Sequence, residues 1–163
     1  MNHFQKSVTI AARPEAVYAA LTTIAGLRSW WTNDCDGSTA VGGTIHFRFG
    51  ACYNDMRVEA AHAPREVRWQ CTRAHTLGEH ITKPDEWVGT RPVFQLSDAG
   101  AAGTRVDFAH LGLLPSLECY GICENGWAHF LASLQQYLET GVGTPYTGTP
   151  SAPSHTLERS ATA

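Results

Sequence analysis

His110 is the side chain best placed to do chemistry in this sequence. It shares strand parity with Val106 and Phe108, which predicts that its imidazole points into the protein near the end of a strand. A titratable imidazole among aromatic rings can orient a ligand carboxylate or act as an acid or base. The alternative is a buried histidine that hydrogen-bonds a backbone carbonyl or Tyr120. His110 is therefore a candidate both for catalysis and for ligand contact.

Cys119 and Cys123 are four residues apart, a spacing that presents two thiols on one side of a helix. Structural zinc needs four ligands, however, and neither CxxC nor HExxH occurs in the chain. His75 and His80 belong to a polar loop with no cysteine at zinc-finger spacing. We therefore expect packed thiols, and neither a metal nor another cofactor. GxGxxG, Walker A and GxSxG motifs are also missing, so no catalytic motif is visible.

Apolar side chains that alternate along the predicted strands would form one wall of a binding site. In the strand 44–49, for example, Phe47 and Phe49 share one face and Arg48 lies on the other. Such walls, with a few polar groups, are typical of sites for apolar ligands. The alternative is that these side chains simply pack against Trp127, as aromatic core residues normally do. The predicted ligand contacts are Phe47, Phe49, Met56, Trp69, Phe94, Phe108, His110, Tyr120 and Trp127.

One long segment must cover these strands, and residues 116–141 have the pattern for it. Their apolar positions follow steps of three, four and one, which predicts a helix with one broad apolar face. At 1.5 Å per residue the helix would be roughly 35–40 Å long. Ser116 is its predicted cap, and Gly141 is its predicted end.

The chain before this helix is mostly strand. Pro14 suits a first helical position and Thr23 a cap, so two short helices are predicted at 14–22 and 24–31. Pro92 indicates a bulge or an edge in its strand. Together these features predict an α+β fold in which a curved antiparallel sheet wraps around the last helix and leaves a cavity between them. The predicted strands are 4–10, 44–49, 55–59, 66–72, 87–96 and 104–110.

Composition narrows the classes of function. With 163 residues the chain fits one domain, and a net charge of −3 without any Lys or Arg run argues against nucleic acid as a partner. No apolar stretch approaches the ~18 residues of a membrane span, and the first residues do not resemble a secretory signal. We expect a cytoplasmic protein that does not insert into membranes. Its five cysteines, an odd number, should stay reduced.

Two segments are candidates for controlling access to the predicted cavity. Trp30 and Trp31 close the second short helix, where they could form a lid or belong to the core. The polar loop 74–86 is the other candidate gate. We predict that the domain spans residues 1–141. Residues 142–163 are dominated by Thr, Ser, Pro, Gly and Ala, which predicts a flexible tail.

The order of these elements resembles the helix-grip fold of START and Bet v 1-like proteins. Several motifs narrow the resemblance to bacterial SRPBCC proteins that share a domain with the activator of Hsp90 ATPase, the AHSA1-like proteins. The resemblance covers about residues 1–141 and implies a deep cavity between sheet and helix, but it carries over no catalytic residues. The motifs are PEAVYAALT at 14–22, WW at 30–31, GG at 42–43, GTRV at 103–106 with His110, and GW at 126–127 followed by LETG at 138–141.

Three functions remain open from the sequence. The leading hypothesis is the binding of an apolar or amphipathic small molecule in the cavity, without catalysis. The second is an enzyme of cyclase or hydrolase type that uses His110 there. The third, implied by the resemblance, is a co-chaperone that activates the Hsp90 ATPase. Edge strands could also mediate a homodimer, although no residue pattern specifies one.

Overall fold

Seven strands form one curved antiparallel sheet, and a long C-terminal helix lies against its inner face. A computed structural model describes residues 3–148 of the chain. The sheet has the order β1-β7-β6-β5-β4-β3-β2, and the α+β helix-grip prediction is confirmed. The strands are β1 (Phe4–Ile10), β2 (Cys35–Gly37), β3 (Thr44–Phe49), β4 (Cys52–His62), β5 (Glu66–His75), β6 (Arg91–Asp98) and β7 (Thr104–Leu111), and the helices are α1 (Pro14–Thr22), α2 (Ile24–Trp30) and α3 (Tyr120–Thr140).

The two short helices form where local signals predict them. Pro14 opens α1, and its missing N–H costs nothing there because the first helical amides have no partner within the helix. Thr23 caps α2, since its hydroxyl accepts a hydrogen bond from the Gly26 amide at 3.0 Å. Trp30 and Trp31 follow and are both fully buried, so they belong to the core rather than to an exposed lid.

The strands bury alternate residues, which gives the sheet an apolar inner face. In β3 the buried residues are Ile45, Phe47 and Phe49, as their parity predicts. β4 continues the pattern through Met56 and Val58, although its pairing with β5 shifts register twice. These irregularities are of the kind that bend a sheet. The inner face therefore curves around the helix with its aromatic residues inside.

The long helix is shorter at its start than the sequence predicts. α3 begins at Tyr120, and Ser116 lies in the preceding turns instead of capping it. The Glu86 carboxylate holds the backbone just before the helix, because it accepts hydrogen bonds from the amides of Glu118 and Cys119 at 3.2 and 3.1 Å. The other end agrees with the prediction, since Gly141 closes the helix in the left-handed conformation at φ +89°.

The sixth strand also starts later than predicted. Trp87 and the two residues after it form turns, and β6 begins at Arg91. The β5–β6 ladder pairs only residues 66–68 with 93–95, so Pro92 lies just beyond it and removes no amide from that ladder. The consequence is that Trp87 is carried by the loop 76–90, which we call the gate loop, rather than by the sheet.

The chain turns back onto the domain after α3. Tyr146 pairs with Thr32 in an isolated bridge, and its ring contacts that of Phe49 at 5.7 Å. Residues up to 146 thus contact the domain that was predicted to end at 141. The rest of the predicted tail, residues 149–163, lies outside the described residues. None of the described helices is long and apolar enough to cross a membrane.

Candidate functional site

A chain of three hydrogen bonds fixes His110 in the core. The Trp127 indole N–H donates to His110 Nδ1 at 2.9 Å, and His110 Nε2 lies 2.8 Å from the Thr90 hydroxyl. The Thr90 hydroxyl in turn donates to the backbone carbonyl of Trp87 at 2.6 Å. An indole can only donate, so Nδ1 must accept and the proton of the neutral ring sits on Nε2. Every donor and acceptor in this series of three hydrogen bonds is then satisfied.

This environment keeps His110 uncharged. The residue is completely buried, and burial lowers the pKa of His110 to about 3, with a smaller contribution in the same direction from His3. Both ring nitrogens are engaged, so His110 could act as a base only if Trp127 released Nδ1. The predicted partners of a buried His110 were a backbone carbonyl or Tyr120. The partners are the side chains of Trp127 and Thr90 instead, and Tyr120 is half-buried near the start of α3.

Trp87 occupies the space between the sheet and α3 where a ligand was predicted. Its indole stacks on Trp127 with ring centroids 6.1 Å apart and an interplanar angle of 3°. The edge contact with His110 is closer, at 4.6 Å between centroids. Its N–H donates to Cys123 Sγ at 3.1 Å. A side chain of the gate loop therefore packs into this part of the interior. We call its position the Trp87 slot, where Trp87 lines a narrow space together with Trp31, Cys123, Gly126, Trp127 and Phe130.

The predicted cavity is closed at this point. With Trp87 in place, the Trp87 slot leaves about 0 Å³ for a water-sized sphere. Trp31 also packs on Trp127, with ring centroids 5.1 Å apart. An apolar ligand can enter this region only after a side chain moves.

Trp87 also lines a second crevice. It holds about 10 Å³, close to the space one water needs. Asn54 lies in its wall with only 5% of its surface exposed, and its Oδ1 has no hydrogen-bond partner among the described residues. Leaving such a buried acceptor unpaired costs about 1–3 kcal/mol. The residues around this crevice, which we call the Asn54 crevice, are Phe49, Cys52, Tyr53, Asn54, His75, Thr76 and Trp87.

Two carboxylates hold the gate loop to the start of α3. Glu86, in the loop, accepts from the two amides just before the helix, and Glu118 accepts hydrogen bonds from the amides of Thr82 and Lys83, both at 2.7 Å. These bonds lower the pKa of Glu118, with the Thr82 hydroxyl as the largest contributor. The clasp formed by Glu86 and Glu118 is polar and solvent-facing, in contrast to the apolar anchor that Trp87 provides.

The predicted wall residues come together, but as a packed core. Phe94 and Phe108 contact each other at 4.9 Å between ring centroids, and Phe108 contacts Trp127 at 4.3 Å. Phe47 and Trp69 both pack against the ring of Trp31. Apart from the half-buried Tyr120, the predicted contacts are buried, namely Phe47, Phe49, Met56, Trp69, Phe94, Phe108, His110 and Trp127.

Three residues of the site were not predicted from the sequence. Asn54 could have been found, since it shares strand parity with Met56 and Val58 and is the polar member of that inward set. Trp87 was assigned to a strand, and no local pattern indicates that its loop folds back onto α3. Thr90 carries no sequence signal at all, because its role depends on the approach of His110.

The cysteines form no metal centre in the described structure. Cys119 and Cys123 are both buried, and the contact between their thiols together with burial raises the pKa of Cys123 well above its usual value. All five cysteines are free thiols. Within residues 3–148, no group of three or more His, Cys, Asp or Glu side chains is arranged to hold a metal ion.

Comparison with known families identifies the fold family of this chain. The model of the family described as activator of Hsp90 ATPase homolog 1-like protein matches residues 11–139, most of the sequence. The chain belongs to this family. A search of curated proteins found no match.

Solved structures extend this assignment. The Aha1 dimer from Colwellia psychrerythraea is 37% identical over 88% of this chain and 100% of that one, with a TM-score of 0.74. Protein MLL2253 from Mesorhizobium loti is 22% identical, covers 84% of this chain and 96% of that one, and has a TM-score of 0.69. CalU16 from Micromonospora echinospora is 18% identical, the match covers 96% of this chain and 78% of that one, and the TM-score is 0.60. The last two likenesses show the fold alone.

Proposed function

We propose that the protein binds an apolar or amphipathic small molecule between its sheet and α3, and that the Trp87 indole leaves its slot when the ligand enters. The observation that carries this proposal is that the slot is filled from the gate loop, not from the sheet or the helix. A side chain on a loop can move while the scaffold stays in place. The gate predicted from sequence for residues 74–86 is thus extended to Trp87.

The predicted contacts divide into two groups around this slot. Phe49, His110 and Trp127 each contact or border the Trp87 indole, so we propose that they touch the ligand directly. Tyr120 at the start of α3 is proposed as a contact at the rim. Phe47, Met56, Trp69, Phe94 and Phe108 would form the wall behind them.

This arrangement favours binding over catalysis. His110 is neutral, with both nitrogens engaged, and its two hydrogen-bond partners, Trp127 and Thr90, are not the acid or base that an acid–base pair requires. Its neutral imidazole can still position Trp127, whose ring is the floor of the slot. We propose that the protein acts in the cytoplasm, in keeping with its free thiols.

The affinity must include the free energy of displacing Trp87. If the open state is a minor population, the apparent affinity falls by the fraction that is open. Truncating the indole removes this competitor. Trp87→Ala should therefore bind small aromatic probes such as indole more tightly than the wild type, although it costs about 3–5 kcal/mol of stability.

Calorimetric titration with indole and naphthalene tests the proposal. Trp30→Ala is the matched control, because Trp30 is equally buried but its N–H bonds the Ala20 carbonyl and it does not border the slot. We expect tighter binding in Trp87→Ala and no gain in Trp30→Ala; Trp87→Leu replaces the first variant if the alanine does not fold. If neither indole nor naphthalene binds to the wild type or to any of the variants, the proposal is overturned.

A second candidate function is activation of the Hsp90 ATPase, favoured by the family match and by the 37% identity with the Aha1 dimer. Activation of the Hsp90 ATPase would require a contact between the surface of this protein and Hsp90, and it would not require the Trp87 slot. A pull-down with Hsp90 from the same species and an ATPase assay test it, and the absence of both binding and stimulation would remove it. The same relative supports a homodimer of this chain, which light scattering would show as twice 17.7 kDa.

A further inference from the structure

Asn54 presents an unused hydrogen-bonding group beside the Trp87 slot. Its side chain lies on the inner face of β4, with the parity of Met56, and borders the Asn54 crevice. Buried side-chain polar atoms nearly always have a partner, so an exception needs an explanation. Oδ1 has none in the described structure, although 95% of the residue is buried.

Several of the groups around Asn54 have other partners. Cys52 Sγ accepts a hydrogen bond from the Leu77 amide at 3.4 Å, and the Thr76 amide donates to the Pro84 carbonyl at 2.7 Å. His75 stacks on Tyr53, with ring centroids 5.8 Å apart and an interplanar angle of 16°. The Trp87 indole does not serve Asn54 either, because its N–H donates to the sulfur of Cys123.

We propose that the ligand carries a phenolic hydroxyl or an aromatic N–H on a flat ring system, and that this group donates to Asn54 Oδ1. This inference rests on the proposed function. Trp87 lines both the Trp87 slot and the Asn54 crevice, so we expect the two spaces to join when its indole leaves. A flat ring can then take the stacking position on Trp127 while its polar group reaches the amide.

The walls on the crevice side suit such a compound. Phe49 offers an aromatic face there, and the stacked pair of Tyr53 and His75 lies at the rim. Aromatic rings bind flat ligands through apolar contact and stacking, whereas one well-placed polar group decides the orientation. A site with a buried acceptor disfavours an analogue that lacks the donor, because the acceptor then stays unpaired.

Three probes of nearly equal shape test this inference: naphthalene, 2-naphthol and 2-methoxynaphthalene. Only 2-naphthol has a donor, and the other two bracket its size. Titration of the wild type should show 2-naphthol binding about tenfold more tightly than 2-methoxynaphthalene. In Asn54→Leu the ratio should fall to about one, and Asn54→Ala gives the same measurement if the leucine does not fold. Cys35→Ala, a matched control because Cys35 is a buried cysteine in β2 that lines neither the Trp87 slot nor the Asn54 crevice, should keep the ratio.

The outcomes separate this inference from the proposed function. Equal binding of the three probes to the wild type overturns the role of Asn54 and leaves the slot intact as a binding site. A preference for 2-naphthol that persists in both Asn54 variants also overturns it, because another group then recognises the hydroxyl and solvent serves the amide. Failure of all three probes to bind the wild type and Trp87→Ala overturns both proposals.

Discussion

Acid should weaken the fold through His110, by an amount that the structure allows us to calculate. The ring is neutral when folded, with a pKa of about 3, whereas an unfolded histidine has a pKa of about 6.5. The unfolded state therefore binds more protons between these values, and stability falls as the pH drops from about 6.5 towards 3. Between pH 7 and pH 5 this one group should cost about 2 kcal/mol.

Urea unfolding at pH 5, 6 and 7, followed by tryptophan fluorescence, measures this loss. His110→Asn should lose the dependence, because an amide can accept from Trp127 but does not titrate. Other groups also titrate in this range, so the decisive quantity is the difference between variant and wild type. His62→Asn is the matched control, since His62 is exposed at the end of β4. The same pH dependence in wild type and His110→Asn would refute the reasoning.

Three further predictions concern the clasp, the thiols and a tight turn. Glu118→Gln should lower the protection factor of the Thr82 amide, which compares its exchange with the intrinsic rate at the same pH; in the wild type this protection should be lost only as the pH falls through the lowered pKa of Glu118, since the carboxylate is the acceptor. Equal exchange in variant and wild type would count against the clasp. Burial raises the pKa of Cys35 to about 11 and of Cys71 to about 12, so the native protein should react with a thiol reagent only after denaturant is added, and rapid native labelling would contradict this. Gly103→Ala should destabilise the protein by more than about 1 kcal/mol in urea titration, because φ is +109° and a Cβ would collide with the carbonyl at the end of β1; an unchanged midpoint would be contrary to this.

The sequence predicts those parts of the fold whose causes are local. Pro14 and Thr23 start the two short helices because each satisfies its own neighbouring backbone, and both predictions are confirmed. Gly141 ends α3 for the same kind of reason. Strand parity likewise identified the buried residues of β3, since alternation is a property of the strand itself.

Features that depend on distant partners were not predictable in this way. α3 starts at Tyr120 and not after Ser116, and the backbone just before it is held by Glu86, which lies 33 residues before Cys119 in the chain. Trp87 packs into the slot because the gate loop folds back onto α3, and no periodicity in the sequence indicates that contact. The prediction of a cavity rested on a sheet that bends around one long helix and on the family resemblance, whereas the closure of that cavity depends on the packing of Trp87. Asn54 shows an intermediate case, in which parity gives the direction of a side chain but not the lack of a partner.

The central claim is that Trp87 moves when ligand binds and the other indoles stay. Fluorine NMR of protein labelled with 5-fluorotryptophan tests it most directly, because each of the five tryptophans gives its own resonance and Trp87→Phe assigns the relevant one. On saturation with 2-naphthol, the account predicts that the Trp87 resonance moves to a solvent-exposed position while that of Trp69 keeps its buried shift. Saturation that leaves the Trp87 resonance unchanged would contradict the account.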